Sequence, residues 1–232
     1  MDTPHPDQVV VSARGVGKKF RTQAGELSLF EHLDLQVRRG ESIAIIGPSG
    51  AGKSTLLSLL AGLDQPTDGE IYLSGQNLAQ LDETARARLR SESVSFVFQS
   101  FHLLPELSAL DNVRLPLDIR GEADAESLAR HWLSRVGLAD RADHLPGQLS
   151  GGEQQRVAIA RAFSTGPEIL FADEPTGNLD SETGNGIVEQ LFGLNAQQGT
   201  TLILITHDPQ LASRCSRRLQ MRQGQLFEEQ PA

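Results

Sequence analysis

In the run Gly47, Pro48, Ser49, Gly50, Ala51, Gly52, Lys53, Ser54 and Thr55, the first eight residues match the spacing G-x-x-x-x-G-K-[ST]. Glycines at these positions let the backbone curl so that successive N–H groups point inward at phosphate oxygens. A helix starting at the end of the run adds its positive N-terminal pole. Lys53 would reach the β- and γ-phosphates and the Ser54 hydroxyl would ligate Mg²⁺, which is the chemistry of a nucleoside triphosphate site. The flanks supply the required context. Ser42-Ile43-Ala44-Ile45-Ile46 is a short apolar strand, and Ser54 to Ala61 (STLLSLLA) carries apolar residues at helical spacing.

Further groups fit the same chemistry. Ile169-Leu170-Phe171-Ala172 is an apolar strand ending in Asp173 and Glu174. An acid at the carboxyl end of such a strand can hold Mg²⁺ directly or through water, and the next carboxylate can polarise an attacking water. Two acids capping a buried strand are also an ordinary structural arrangement. The β-branched run Thr201 to Thr206 ends at His207, within reach of a γ-phosphate at the same sheet edge. Ser150, Gly151 and Gly152 open a helix with an apolar face, an N-cap followed by exposed backbone N–H groups, and so form a second candidate anion site; alone, S-G-G before a helix is a common cap. Phe20, upstream of the cradle, could stack on a nucleotide base, although an apolar ring in a β lobe also serves as core. No Asn-Lys-x-Asp guanine-reading motif occurs, which favours ATP over GTP.

These groups need a scaffold, and the hydrophobic pattern predicts one. Val9 to Arg14 and Leu33 to Val37 read as strands with a hairpin turn at Gly25-Glu26, and Ile71 to Leu73 is a further strand between turns. Residues 82–90 read as a polar helix with Asp82 as N-cap. Val94 to Phe98 is an aromatic-rich strand ending at Gln99. Phe101, Leu103, Leu104, Pro105 and Leu107 follow, either folded under a helix or forming a contact surface, with burial the expectation. From Asp111 to Asp143 the composition turns helical, with Leu128, Trp132, Leu133 and Val136 on one face of a helix that starts near Asp124 and ends at Gly137. Ile187, Val188, Leu191, Phe192 and Leu194 mark another helix, and Arg217 to Met221 and Gln225 to Phe227 close the chain as short strands. Alternating strands and helices imply an α/β fold with a mainly parallel core sheet, an N-terminal antiparallel β lobe and an inserted helical subdomain at about residues 100–156. Residues 9–228 form one domain on this basis, with tails at 1–8 and 229–232.

Composition narrows the class. The 232 residues are 38% hydrophobic and 22% charged, enough for one large α/β unit. No apolar run reaches the roughly 20 residues needed to span a bilayer and residues 1–8 lack the regions of a signal peptide, so the chain is expected in the cytoplasm. Cys215 is the single cysteine, which excludes a disulfide framework. A formal net charge of −9 argues against nucleic acid as a partner.

Taken together and in this order, the motifs resemble those of the ATP-binding subunits of ABC transporters, over about Val9 to Phe227. Gly47 to Ser54 is similar to the Walker A loop of that P-loop NTPase family, Gln99 to its Q-loop and Leu149 to Gln154 to its signature. Ile169 to Asp173 is similar to the Walker B strand with Glu174 after it, Asn178 to Asp180 to the D-loop and His207 to the switch histidine. The resemblance implies a homodimer that sandwiches two ATP molecules, each between the cradle of one subunit and Ser150 to Gly152 of the other. It further implies Glu174 as base for the water, His207 at the γ-phosphate, Gln99 linking metal and water to the membrane-facing surface, Asp180 communicating across the dimer, and Phe20 as the ring that stacks on adenine. Phe96 to Phe101, Asp173 to Asp180 and Gly199 to Asp208 resemble the branch containing LolD, MacB and YbbA-like proteins. That branch implies an FtsX-like integral-membrane permease at the bacterial inner membrane, docked near Phe101 to Leu107, and work on a hydrophobic substrate or lipoprotein. A soluble ABC ATPase acting on ribosomes or nucleic acid is the alternative; such chains commonly carry two cassettes or a long coiled-coil insertion, and this one has neither. A small-molecule kinase would leave Gln99, the signature and His207 without roles.

Overall fold

The computed structural model describes residues 8–22 and 25–229. Residues 1–7 and 230–232, where the sequence places tails, lie outside them. In chain order the first elements are β1 (Val9–Thr22), β2 (Gly25–Arg38), β3 (Ser42–Ile46), α1 (Lys53–Leu60), β4 (Asp68–Leu73), β5 (Gln76–Asn77) and α2 (Glu83–Ser93). Then follow β6 (Val94–Phe98), α3 (Ala109–Arg120), α4 (Ala125–Arg135), α5 (Gly151–Ser164), β7 (Ile169–Asp173) and α6 (Ser181–Gln198). The chain closes with β8 (Thr201–Ile205), α7 (Pro209–Ala212), β9 (Arg217–Arg222) and β10 (Gln225–Glu228). The backbone divides into two compact units, one built from residues up to Val94 together with those from Thr201 onward, the other from Ser95 to Thr200.

The first unit holds an antiparallel sheet in the order β2-β1-β4-β5 and a run of strands in the order β10-β9-β3-β8. β3 is parallel to both neighbours, with Ser42 opposite Leu202 and Ile43 opposite Arg217. Ile43 to Ile45 and all of Thr201 to Ile205 are buried, the continuous apolar burial of parallel strands covered on both faces. On α1, Leu56, Leu57, Leu59 and Leu60 are buried and anchor the helix that the phosphate loop feeds. The hairpin differs from the sequence expectation. β1 and β2 are 14 residues each and pair to their ends, Arg21 with Glu26 and Thr22 with Gly25, so Gly25 and Glu26 lie in the strand and not in the turn. Register shifts between Ala13 and Lys18 obscure the alternation along which the strand would have been read. α2 starts as expected, with the Asp82 carboxylate accepting the Ala85 N–H at 2.7 Å.

The second unit packs α3, α4 and α5 against one another, with α6 along α5, and carries β6 and β7 as neighbours. Phe96 stacks on Phe171 at 5.7 Å, joining the two strands. Trp132 is a packing residue as expected, buried and stacked on Phe163 of α5 at 6.0 Å. Leu128 does not share that face. It is 36% exposed, while Ala125 and Ala129 are buried with Trp132 and Leu133, because the stripe is centred one step further round the helix and Leu128 falls on its rim. The expected burial of Phe101, Leu103, Leu104, Pro105 and Leu107 is also corrected: none is buried and Leu104 is 42% exposed. The space beneath them is taken by a polar group. Asn112, only 1% exposed, accepts the Leu104 N–H at 2.8 Å and donates to the carbonyls of Leu104 and Leu107. Satisfying the backbone of this irregular loop from below leaves Leu104 and Pro105 exposed and Phe101, Leu103 and Leu107 half-buried.

Candidate functional site

In the first unit the loop between β3 and α1 is shaped by Gly52, the N-cap of α1, at φ 95°, ψ 11°. A side chain there would be strained by the left-handed conformation, and a Cβ would meet the Leu29 side chain at 2.8 Å. No side chain caps the helix, so its opening N–H groups are left for an external acceptor. The Lys53 ammonium curls back and donates to the carbonyls of Gly47 and Pro48 at 2.9 and 3.0 Å. Neutral carbonyls hold the cation without cancelling its charge, and the loop therefore combines a helix pole, free donors and one ammonium, which suits a polyphosphate. Ser54 is exposed at the first turn of α1.

Phe20 stands on β1 and is 40% exposed, with the Lys18 ammonium 5.3 Å from its ring centre, so it is not a core ring. His207 is exposed two residues after the end of β8. Its turn is fixed on both sides: the buried Thr206 hydroxyl accepts the Asp208 N–H at 3.0 Å, and Asp208 caps α7 through Gln210. The first unit thus carries Phe20, Gly47 to Thr55 and His207; the second carries Gln99, Ser150 to Gly152, Asp173, Glu174 and Asp180.

Within the second unit, Ser150 caps α5 through a reciprocal pair. Its hydroxyl accepts the Glu153 N–H at 3.3 Å and the Glu153 carboxylate accepts the Ser150 N–H at 2.8 Å. The Ser150 N–H, then its side chain, and the Arg141 guanidinium 3.4 Å away hold the Glu153 carboxyl below its ordinary range. A cleft of about 280 Å³ opens at this helix start, lined by Ser150, Gly151, Gly152, Arg156, Leu179 and Thr183, with Asn178 and Asp180 beside them. Gly152 permits the approach of α6, since a Cβ would meet Thr183 Cγ2 at 2.5 Å. Asp180 is also the N-cap of α6. Its carboxylate accepts the Thr183 N–H at 3.0 Å, the bond that chiefly lowers its pKa.

Gln99 is exposed and locked to the 177–180 loop by exchange with Asn178: its amide donates to Asn178 Oδ1 and Asn178 donates to the Gln99 carbonyl, each at 3.0 Å. Asp173 ends β7, half-buried, and Glu174 follows at φ 47°. A non-glycine residue in that region costs about 1–3 kcal/mol and re-aims its side chain out of the strand's alternation. The turn is tied by the Gly177 N–H to the Glu174 carbonyl at 3.0 Å.

Residue types alone did not point to Arg161. Both arms of its guanidinium donate to backbone carbonyls, of Phe101 at 2.9 Å and His102 at 2.7 Å, two residues at φ 59° and 48°. Burial pushes its pKa down. A cation inside the apolar run Val157 to Phe163 is the signal that could have found it, as an amide inside the α3 stripe could have found Asn112.

A family model described as "ABC transporter" matches residues 30–177. The chain belongs to the ABC transporter family. It is similar to the uncharacterized ABC transporter ATP-binding protein YbbA of Escherichia coli strain K12, 55% identical over 97% of this chain and 99% of that protein. The lipoprotein-releasing system ATP-binding protein LolD of Koribacter versatilis is 46% identical over 93% of this chain and 98% of LolD. The dimeric structure of a post-hydrolysis state of the ATP-binding cassette MJ0796 bound to ADP and Pi superposes with a TM-score of 0.87 at 38% identity, covering 95% of this chain and 98% of that one. The expected branch and the expected α/β P-loop fold both hold. This ABC cassette is accordingly an ATP-binding, ATP-hydrolysing transporter subunit, and the ribosome or nucleic-acid alternative finds no support among these relatives. Among the described residues no helix is long and apolar enough to cross a membrane.

Proposed function

We propose that two copies of this cassette close on two ATP molecules and energise an FtsX-like permease at the cytoplasmic face of a bacterial inner membrane, for export or extraction of a hydrophobic substrate or lipoprotein. What supports the dimer is the similarity to the dimeric, ADP- and Pi-bound cassette MJ0796, together with a cleft at the start of α5 that is lined by two glycines and Arg156. A triphosphate held by one cradle would find its second wall on the partner copy. LolD, named for a lipoprotein-releasing system, supports the choice of substrate class, and the exposed Leu104 and Pro105 beside the half-buried Leu103 and Leu107 support a docking surface for an apolar membrane partner.

In this scheme Lys53 and the N–H groups of the loop bind and orient the phosphates. Phe20 stacks on adenine. Glu174 accepts the proton of the attacking water, His207 hydrogen-bonds the γ-phosphate, Ser150 to Gly152 bind it from the partner copy, and Asp180 contacts across the dimer. Gln99 links these events to the 101–107 surface. The donor set suits Mg²⁺: an exposed serine hydroxyl, an amide oxygen and a half-buried carboxylate are hard oxygen ligands, fitting an ion that takes few carboxylates and fills its remaining positions with nucleotide oxygens and water. Ser54, Asp173 and Gln99 would hold it, and when bound it neutralises phosphate charge.

Glu174→Gln tests the reading. The variant is expected to lose turnover by about 10²–10⁴-fold and, with ATP and Mg²⁺, to elute at twice the mass of the nucleotide-free chain. A variant that hydrolyses ATP normally and stays monomeric defeats it. Affinity capture from bacterial membranes should bring down a multi-span protein; ribosomes or DNA in its place would reject the transporter assignment.

A further inference from the structure

We propose that Gln155 is a positioning residue for ATP hydrolysis, tying the second turn of the signature helix to the loops that carry Gln99 and Glu174. The inference rests on the roles proposed above for those two residues. Gln155 lies five positions after Ser150 and is fully buried. Its amide nitrogen donates to the Pro175 carbonyl at 2.6 Å and faces the Phe98 carbonyl at 3.4 Å. Pro175 directly follows Glu174, and Phe98 directly precedes Gln99. One NH₂ group therefore joins three segments that sequence spacing leaves far apart.

The orientation of this amide is determined by its surroundings. Two carbonyl oxygens on one side demand the NH₂ there, since the swapped amide would set oxygen against oxygen. The other end is less well served, for Oε1 is buried with no hydrogen-bond partner. A buried acceptor without a donor is costly, and a methionine would fill the same space without that cost. What an amide supplies here and an apolar side chain cannot is the double donation. It bears on a strained place, since Glu174 sits at φ 47°. The Gly177 N–H holds the Glu174 carbonyl and Gln155 holds the next one, of Pro175, while Gln99 is bound in turn to Asn178. A shift at the start of α5, where the partner's nucleotide would bind, reaches both loops through this side chain. Gln155 itself touches no substrate.

The test uses the purified full chain. Gln155→Met should lower kcat by about ten- to hundredfold with KM for ATP changed by less than about twofold, the pattern of a misplaced reacting group with binding intact. Trp132, the sole tryptophan and packed on α5, reports whether the second unit remains folded. Wild-type kcat in a variant with native Trp132 emission overturns the proposal. Gln155→Glu gives an independent reading if the methionine variant does not fold. A neutral glutamic acid can donate to one carbonyl and an ionised one repels both, so the ratio of its kcat to that of wild type should rise as pH falls from 8 to 6. A flat ratio overturns the proposal. Glu174→Gln, run alongside, separates the two levels: if it turns over normally the proposed function fails, whereas if it is inactive and the Gln155 variants behave as wild type, only the role of Gln155 falls.

Discussion

Helices α1 and α5 both begin at glycine-containing anion-binding motifs, yet their first turns are finished differently. α1 starts at Gly52 with no side-chain cap and an ammonium held nearby on two neutral carbonyls. α5 starts at Ser150 inside a closed capping box, with the Glu153 carboxylate already on a backbone N–H. The first start is an open donor set with positive charge beside it. The second is satisfied internally and carries its own anion at the helix pole, which competes with any phosphate that approaches. Two glycine-containing helix starts thus differ in how their first turns are satisfied, which matches the proposed division of labour between a cradle that holds nucleotide and a signature turn that contributes from the partner copy.

Breaking the open start should have the largest effect. Lys53→Ala is expected to weaken ATP binding about 100-fold, as expected for a lost charged hydrogen-bond donor, measured by calorimetry on the isolated chain. An affinity like that of wild type would mean that the cradle does not depend on its cation. Ser150→Arg comes next: turnover should fall about 10²-fold while the isolated chain's affinity for ATP is retained, and parallel losses of both would erase the contrast between the two helices. Ser150→Ala removes only the cap and should cost about 1 kcal/mol, a drop of about 2–4 °C in Tm; no shift in a melting curve would show that α5 gains nothing from closing itself.

The smallest effect concerns Glu153. Its folded-state pKa is depressed below the ordinary 4.5, so its contribution to stability is fully present above that value and is lost as pH falls through the lowered folded pKa. Glu153→Gln keeps an acceptor and does not titrate. The Tm advantage of wild type over this variant should therefore hold steady from pH 8 to 5 and shrink in more acidic buffer, as scanning calorimetry would record. An advantage that grows with acid would reverse the sign of the assignment.

Where the chain is locally self-explanatory, sequence was enough. Strand β3, the loop from Gly47 and helix α1 were legible because apolar period, glycine spacing and a following lysine all act within 20 residues, and Asp82 and Ser150 were legible as caps for the same reason. The hairpin turn was misplaced because register shifts break strand alternation, and the surface from Phe101 to Leu107 was misjudged because apolar side chains ordinarily turn inward. Nothing within those seven residues tells that Asn112 and Arg161 will occupy the space below. Gln99 and Asn178, 79 positions apart, exchange hydrogen bonds that no spacing rule connects, and Gln155 meets Phe98 and Pro175 from 57 and 20 positions away. Sequence by itself determined the triphosphate chemistry and the family, since those reside in short contiguous motifs read by backbone geometry. Only the tertiary structure decided which buried polar groups hold those motifs in place, because a buried donor must find its acceptor wherever folding brings one, regardless of distance along the chain.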